Sequence, residues 1–322
     1  MKKTFLTSAA LLLSLLAHSQ EADDLGNKYA EVTFVARAEY SSVEDDHLGN
    51  SSFYAFLDGA FSSNLSYSVS THLLSSYPKD LYQGTLYSNT NNWLDWAYLT
   101  YDFGQFQFEL GKNCMDLGTF EFQENDVDCY YELQSAFWSM LPAYQWGANL
   151  YWTPSDKFEL TAGMCTSPFG EKPFASGLYS YHLRGAFTSE FYEGMLSYGL
   201  HQRDKGDYIG LLSVGNRFYL GDKWQMTWDS YYTTTQNATY SSMFSLCFNP
   251  SDSWALTGLA GFDDYDQDAD DLFVKMDDNR WYAGLLANWY PVESLRVHAL
   301  AAYDSLSESP LFNLGLTWQI TL

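Results

Sequence analysis

The chain has 322 residues, of which 18% are aromatic and only 8 are proline, a composition that favours β-strands. Its 40 acidic residues outnumber 16 basic ones, and the formal net charge of −24 excludes nucleic acids as partners and favours cations. Beyond residue 20 there is no apolar run of about 18 residues, which excludes a helical membrane protein.

The N-terminal segment has the features of an export signal. Two lysines precede an apolar run at residues 11–16, and small residues follow up to Ser19. We therefore predict a signal peptide over residues 1–19. No linker or change of composition divides the remainder, so residues 20–322 are predicted to form a single domain, an outer-membrane β-barrel for the reasons given next.

Apolar and polar residues alternate along most of the chain, as in β-strands with two different faces. The alternation continues to the last residue, Leu322. Strands of about ten residues, tilted by about 45°, cross the apolar layer of an outer membrane, which is about 25 Å thick. Closure into a barrel leaves no sheet edge unpaired in lipid. The sequence predicts an all-β fold, a transmembrane antiparallel β-barrel of about 16 strands with a long in-folded loop.

Short turns and longer loops alternate between the predicted strands. A soluble β-sandwich or solenoid would also show alternating strands, but the export signal and the loops on one side only favour the barrel. The seven turns are predicted at residues 61–64, 103–105, 153–157, 188–190, 220–223, 249–253 and 290–294. The eight loops are predicted at residues 41–51, 74–91, 112–142, 166–177, 201–207, 235–239, 263–279 and 304–311.

The segment from Asn92 to Phe122 resembles the strand, turn, strand and start of the loop in the phosphate-selective porin O and P family of outer-membrane channels. The resemblance implies a sixteen-stranded barrel, commonly a homotrimer, with a long loop folded into the lumen. Phosphate selectivity in that family is attributed to closely spaced basic residues, and this chain has only 16 in all, so phosphate transport is not inferred. The resemblance rests on Leu94, Trp96, Tyr98, Phe103, Gly104, Phe106, Phe108, Leu110, Gly111 and Gly118, with a weaker echo at residues 163–172.

The longest predicted connection, residues 112–142, is the candidate constriction loop, because structureless loops of this length are usually functional. It is acidic, and fixed carboxylates in a narrow aqueous neck attract cations. The alternative is a solvated extracellular loop. The acidic residues of this candidate constriction loop are Asp116, Glu121, Glu124, Asp126, Asp128 and Glu132.

Residues with the opposite parity to the lipid-facing ones are predicted to form the lumen wall. Both signs of charge occur there. The predicted wall residues are Arg37, Glu39, Asp95, Glu109, Arg184, Arg217, Asp229 and Arg296, together with Glu159, His182, Glu193 and His298. Lumen aromatics that could bind a sugar are only scattered, at Trp93, Tyr101, Tyr151, Tyr231 and Tyr282.

The four cysteines allow disulfides in an exported protein. Cys114 and Cys129 both lie in the predicted constriction loop, and we predict that they form a disulfide; Cys129 with Cys165 is the competing pair. The acidic run at residues 263–271 lacks the glycine and glutamate of a calcium-binding EF-hand, so it is interpreted as a solvated loop and no metal site is predicted.

These features predict a porin-like passive diffusion channel for small hydrophilic solutes and ions, mildly cation-preferring, in the outer membrane of a Gram-negative bacterium. The alternatives are a solute-specific channel, for example for oligosaccharides, and a non-conducting binding or adhesion barrel. No nucleophile motif accompanies the histidines, so neither an enzyme nor a cofactor is predicted. The expected partners are outer-membrane lipids, lipopolysaccharide, small solutes, cations and further copies of the chain in a homotrimer.

Overall fold

The fold is taken from a computed structural model, in which the described residues are 29–42, 47–48, 51–74, 94–124, 128–130, 133–170, 174–234, 239–265, 278–307 and 309–322. Within these ranges the chain forms sixteen strands and two short helical segments. The strands are β1 (Tyr29–Ser41), β2 (Ser52–Ser62), β3 (Leu65–Leu74), β4 (Leu94–Asp102), β5 (Phe106–Cys114), β6 (Tyr144–Ser155), β7 (Phe158–Thr166), β8 (Tyr179–Thr188), β9 (Tyr192–Asp204), β10 (Asp207–Leu220), β11 (Trp224–Thr233), β12 (Tyr240–Ser251), β13 (Trp254–Asp264), β14 (Arg280–Val292), β15 (Leu295–Asp304) and β16 (Ser309–Thr321). A 3-10 turn (Glu121–Gln123) and the helix α1 (Ala136–Met140) both lie between β5 and β6.

The sixteen strands form one closed antiparallel barrel in which every strand pairs with its neighbours in the chain. The last strand, β16, returns beside β1, and the register pairs Thr33 with Thr321 and Ser41 with Asn313. Closure gives both edges of the sheet a hydrogen-bonding partner, which a sheet in lipid requires. The predicted fold class and the strand number are confirmed.

The two faces of the barrel differ in the way that the alternation predicts. On β16 the outward side chains of Leu314, Leu316 and Trp318 are 59%, 44% and 51% exposed, whereas the inward Asn313 and Thr317 are buried. Large apolar side chains on the outside suit a surrounding of lipid acyl chains. In the described part of the chain, no helix has the length and apolar character needed to cross a membrane.

The short turns fall where the sequence predicts them, since each of the seven overlaps the gap between two consecutive strands. The loop predicted at residues 201–207 is wrong. Only Lys205 and Gly206 separate β9 from β10, which makes this connection a tight turn. Gly206 has a φ of +82°, a conformation that glycine adopts without the steric cost of a side chain. The tight turn at this glycine allows β9 and β10 to remain paired up to Asp204 and Asp207.

The largest cluster of buried apolar residues found in the described ranges lies inside the barrel. It joins the connection between β5 and β6 to the inner wall. The connection between β5 and β6 therefore fills part of the barrel interior. The cluster consists of Met115, Leu117, Ala136, Phe137 and Leu141 from the connection and Cys165, Phe169, Ile209, Leu211 and Tyr231.

Candidate functional site

The connection between β5 and β6, residues 115–143, folds into the barrel, and we call it the lumen loop. Its two ends leave the wall together, because Cys114 pairs with Tyr144 and the N–H of Met115 donates to the carbonyl of Ala143 at 2.8 Å. From this base the loop makes contacts with strands around the inner wall, described below in chain order.

The backbone of the lumen loop lies close to the wall at Gly118. Its N–H donates to the hydroxyl oxygen of Ser197, on β9, at 2.9 Å. A Cβ atom added at Gly118 would lie 2.6 Å from the backbone nitrogen of Ser197 and 3.1 Å from the carbonyl oxygen of Ser213. Both are backbone atoms that cannot move aside, so only glycine allows the loop to lie this close to the wall.

Asp229, on β11, fixes the next turn of the lumen loop. Its two carboxylate oxygens accept hydrogen bonds from the backbone N–H of Phe120 at 3.1 Å and of Glu121 at 2.8 Å. The Asp229 side chain is fully buried. Because both donors belong to the first turn of the 3-10 segment, one carboxylate satisfies two backbone groups that the helix itself leaves without partners.

Glu121 faces the wall and links the two halves of the lumen loop. Its carboxyl oxygens accept from the N–H and the hydroxyl of Ser135, each at 2.6 Å, and from the hydroxyl of Tyr231 at 2.7 Å. Thr119 and Tyr231 share a further hydrogen bond of 2.7 Å. Burial raises the pKa of Glu121 to about 8, although hydrogen bonds from Ser135 and Tyr231 oppose this shift.

The docking of the lumen loop is expected to depend on pH through Glu121. The pKa of this carboxyl rises from an ordinary 4.5 to about 8 in the docked loop, so its contribution to docking is fully present below about pH 4.5 and is lost as the pH rises through about 8. Asp229 and Tyr231 also face this group. Open-channel current noise should increase as the pH rises from about 4.5 to about 8. Glu121→Gln should remove that increase, and an identical increase in this variant would contradict the assignment.

The middle of the lumen loop reaches the strands next to the barrel closure. Asp128 forms an ion pair of 2.8 Å with Arg296, on β15. Arg37, on β1, donates to the carbonyl of Cys129, and its guanidinium lies 4.8 Å from the ring centre of Tyr130. A guanidinium over an aromatic face is an attractive contact, so two arginines hold this part of the loop.

The returning half of the lumen loop attaches to β13 and β14. Arg280 donates to the carbonyl of Gln134 at 2.9 Å, and the N–H of Ala136 donates to Asp263 at 3.1 Å. The short helix α1 begins there, with Ser135 as its N-cap. Phe137 then packs against the ring of Tyr231 at 5.2 Å between ring centres. The loop is therefore held along its whole described length.

The acidic residues of the predicted constriction loop have different surroundings. Asp116 forms an ion pair with Arg184 at 2.9 Å, Glu124 is exposed, and the Asp128 side chain is 43% exposed beside Arg296. The prediction is wrong for Glu121, because this residue is only 2% exposed between the lumen loop and the wall and does not face the open part of the lumen. Asp126 and Glu132 lie outside the described residues.

The predicted wall residues are placed on the inner face, and the arginines among them are paired with carboxylates. Arg217 and Glu193 are 3.7 Å apart, and the Arg217 guanidinium lies 3.9 Å from the ring centre of Phe120. Sequence reasoning missed Arg280, although its parity opposite to Trp281 was the available signal. The remaining pairs are Arg37 with Glu39, Arg184 with Glu159, and Arg280 with Asp263 and Asp304. Glu109 accepts hydrogen bonds from the side-chain amides of Asn113 and Asn149. The ring of His298 contacts Glu39 at 2.7 Å.

A β-bulge in β4 changes which of its side chains face the lumen. Ser70 pairs with Trp96 whereas the next residue, Thr71, pairs with Leu94, so Asp95 is an extra residue in the ladder. Such a bulge allows consecutive residues to face the same side. Asp95 contacts Ser70 at 3.3 Å, and the indole N–H of Trp96 donates to the hydroxyl of Ser68 at 2.8 Å, so both lie inside.

The bulge also changes which of the predicted lumen aromatics face the lumen. Tyr101 is 51% exposed beside the outward Leu99, so its predicted position in the lumen is wrong. Tyr151, Tyr231 and Tyr282 lie on inner-face positions, and Trp93 is outside the described residues. The sequence analysis missed an aromatic group on the inner wall formed by Tyr54, Phe56 and Trp96, with Tyr144 stacked on Trp96.

The predicted disulfide between Cys114 and Cys129 is not formed, and neither is the competing pair of Cys129 and Cys165. The reason is the path of the lumen loop. Cys114 ends β5 beside Tyr144, whereas the carbonyl of Cys129 accepts from Arg37 on β1, four strands further round the wall. The loop crosses the interior between these two cysteines, and a disulfide would pull it off its attachments.

The acidic run that starts at Asp263 is only partly described. Asp263 itself is buried and is bound by Ser241, Ala136 and Arg280. In the ranges given above, no group of three or more His, Cys, Asp and Glu side chains is arranged to hold a metal ion. Residues 266–277 lie outside the described part.

A closed sixteen-stranded barrel with a loop folded into its lumen and an apolar outer face defines the class of outer-membrane porins. The sequence matches the family described as phosphate-selective porin O and P over residues 54–246, more than half of the chain. The chain belongs to this family. A comparison with curated protein sequences finds no match.

Solved structures of outer-membrane proteins, porins among them, share the fold at low sequence identity. An anion-selective porin from Comamonas acidovorans has a TM-score of 0.64 at 8% identity, and 91% of this chain and 100% of that one are covered. OmpT, an outer membrane protein of Vibrio cholerae, has a TM-score of 0.61 at 12% identity, with 91% and 97% covered. A mutant of the Rh. blastica porin has a TM-score of 0.57 at 9% identity, with 91% and 100% covered.

Proposed function

We propose that the protein is a passive diffusion channel for small hydrophilic solutes and ions, with a mild preference for cations. The observation that carries this proposal is the lumen loop, which is attached to β1, β8, β9, β11 and β13–β15 and narrows the barrel without following its outer surface. A loop fixed in this way sets the width and the charge of an aqueous passage. Membership of a porin family supports the same function.

The balance of charge inside the barrel supports the cation preference. Each inner-face arginine named above forms an ion pair with at least one carboxylate, so its positive charge is offset locally. Further carboxylates, including Glu109 and the exposed Glu124, have no arginine within ion-pair distance in the described ranges. A passage with an excess of carboxylates favours cations, most strongly at low salt.

Recording from single channels in planar bilayers tests the proposal. We expect stepwise conductance and, in a KCl gradient, a reversal potential of the sign that indicates cation preference. Purified, correctly folded protein that inserts without conducting would favour the alternative of a binding or adhesion barrel. An anion preference would leave the channel function standing and refute the charge argument.

The mature protein is expected in the outer membrane of a Gram-negative bacterium, in contact with lipid and lipopolysaccharide and assembled as a homotrimer. The predicted signal peptide and the apolar outer face support the location, and the family resemblance supports the trimer. Membrane fractionation followed by electrophoresis with and without boiling tests both points. Unboiled protein should migrate as a compact trimer in the outer-membrane fraction. Recovery from the soluble periplasm would end the channel hypothesis, and compact migration at monomer size would refute the trimer.

A further inference from the structure

Tyr54, Phe56 and Trp96 lie on β2 and β4, which carry none of the loop attachments described above, and Tyr144 begins β6 at the base of the lumen loop. Phe56, Ser70 and Trp96 form one row across β2, β3 and β4. The attachments of the loop described above fall on β1, β8–β11 and β13–β15, besides its base on β5 and β6. Among the described residues, the aromatic row is therefore on a part of the wall that none of these attachments reaches.

The aromatic rings are arranged as a connected surface. Ser70 is small, and the rings of Phe56 and Trp96 meet above it at 5.6 Å between ring centres. Tyr54 stacks on Phe56 at 6.2 Å, and Tyr144 stacks on Trp96 at 6.1 Å. Phe56, Trp96 and Tyr144 each retain partial exposure, so part of their ring surface is accessible to a solute.

Polar groups border the aromatic surface. His72 and Asp95 are joined at 2.6 Å, with side-chain exposures of 24% and 6%, and Ser70 contacts Asp95 at 3.3 Å. The indole N–H of Trp96 donates a hydrogen bond to the hydroxyl oxygen of Ser68, and this bond fixes the orientation of the ring. A mostly aromatic surface with a few fixed polar groups is the usual composition of a small-molecule site.

We propose that this surface is a binding site for a neutral cyclic sugar that enters the channel, an inference that rests on the proposed channel function. A pyranose ring has C–H faces that pack on aromatic rings and hydroxyls at its rim that can bond to the half-buried His72, whose ring is held by Asp95. The rings lie on β2, β4 and β6, in each case near the end of the strand that joins a long loop. A solute that enters from the side of the long loops therefore meets the site early.

Reversible block of single-channel current by trisaccharides tests the site, with maltotriose and cellotriose as probes. Sugar should interrupt the current at concentrations at which polyethylene glycol of similar mass does not. Trp96→Leu should raise the half-blocking concentration about tenfold, the loss expected when a well-packed aromatic contact is removed, and Trp96→Phe should raise it less. Trp281→Leu, which changes an exposed tryptophan on the outer face, should have no effect on block.

The outcomes separate this inference from the channel proposal. Normal conductance without sugar block, or equal block of the wild type and Trp96→Leu, overturns the sugar site and leaves the channel standing. Block by choline but not by either sugar also overturns it, because the surface would then be a cation site. If the barrel does not conduct, sugar-dependent tryptophan fluorescence in detergent micelles still decides, and the absence of any sugar-dependent change in the wild type refutes the site.

Discussion

Asp229→Ala is expected to release the lumen loop and to raise single-channel conductance severalfold, with larger current noise. The substitution removes the acceptor for the backbone N–H groups of Phe120 and Glu121. Leaving a buried donor without a partner costs about 1–3 kcal/mol for each group, so the docked state of the loop is weakened at two hydrogen bonds to β11. The measurement is the distribution of conductance steps in planar bilayers at one salt concentration.

Two variants control for the effect of Asp229→Ala. Asp229→Asn keeps one acceptor oxygen in place and should cause a smaller increase in conductance. Asp252→Ala removes a carboxylate from an exposed short turn and should leave conductance unchanged. If Asp229→Ala folds, as judged by its shift in migration on boiling, and conducts like the wild type, then the loop does not limit the passage.

Joint replacement of Glu124 by Gln and Asp128 by Asn should lower the ratio of cation to anion permeability, and most strongly at low salt. Both side chains are accessible in the lumen loop, and the change also leaves Arg296 without its partner of 2.8 Å. A unit charge about 7 Å from an ion in water changes the ion's energy by about 0.6 kcal/mol, so we expect a change of about twofold to threefold. Reversal potentials in a KCl gradient measure the ratio.

The matched control for this pair is Asp156→Asn with Glu190→Gln. These two residues are exposed in short turns and carry the same total charge. If both double variants change the ratio equally, net charge of the protein and not the lumen loop determines selectivity. An unchanged ratio in the loop variant would place its carboxylates outside the path of the ions.

The barrel could be predicted because its physical signal is local. A strand in lipid alternates every second residue, and this alternation identified the outer face of β16 and the inner positions of Arg37 and Arg296 without knowledge of their partners. The signal failed at β4. There the extra residue Asp95 shifts the parity, so that Trp96 faces the lumen and Tyr101 faces outward. The bulge thus concealed the inward position of Trp96, the central ring of the aromatic surface.

The arrangement of the lumen loop could not be predicted because it depends on contacts distant in sequence. The spacing of Cys114 and Cys129 suited a disulfide, but the contact of Cys129 with Arg37, 92 residues away in the chain, decides its position. Glu121 was expected to face the ions because it is an acid in an acidic loop. Its burial follows from Ser135 and Tyr231, which no local pattern relates to it.

The attachments of the lumen loop have a consequence for assembly of the barrel. Arg37 on β1 and Arg296 on β15 stand on either side of β16, the strand whose pairing with β1 joins the two ends of the sheet. The loop thus bridges the seam from within. Insertion of the loop and closure of the seam stabilise each other, since either one brings the partners of the other into place. The residues of the lumen loop that narrow the barrel therefore also hold together the two strands that flank β16, the strand that closes the sheet.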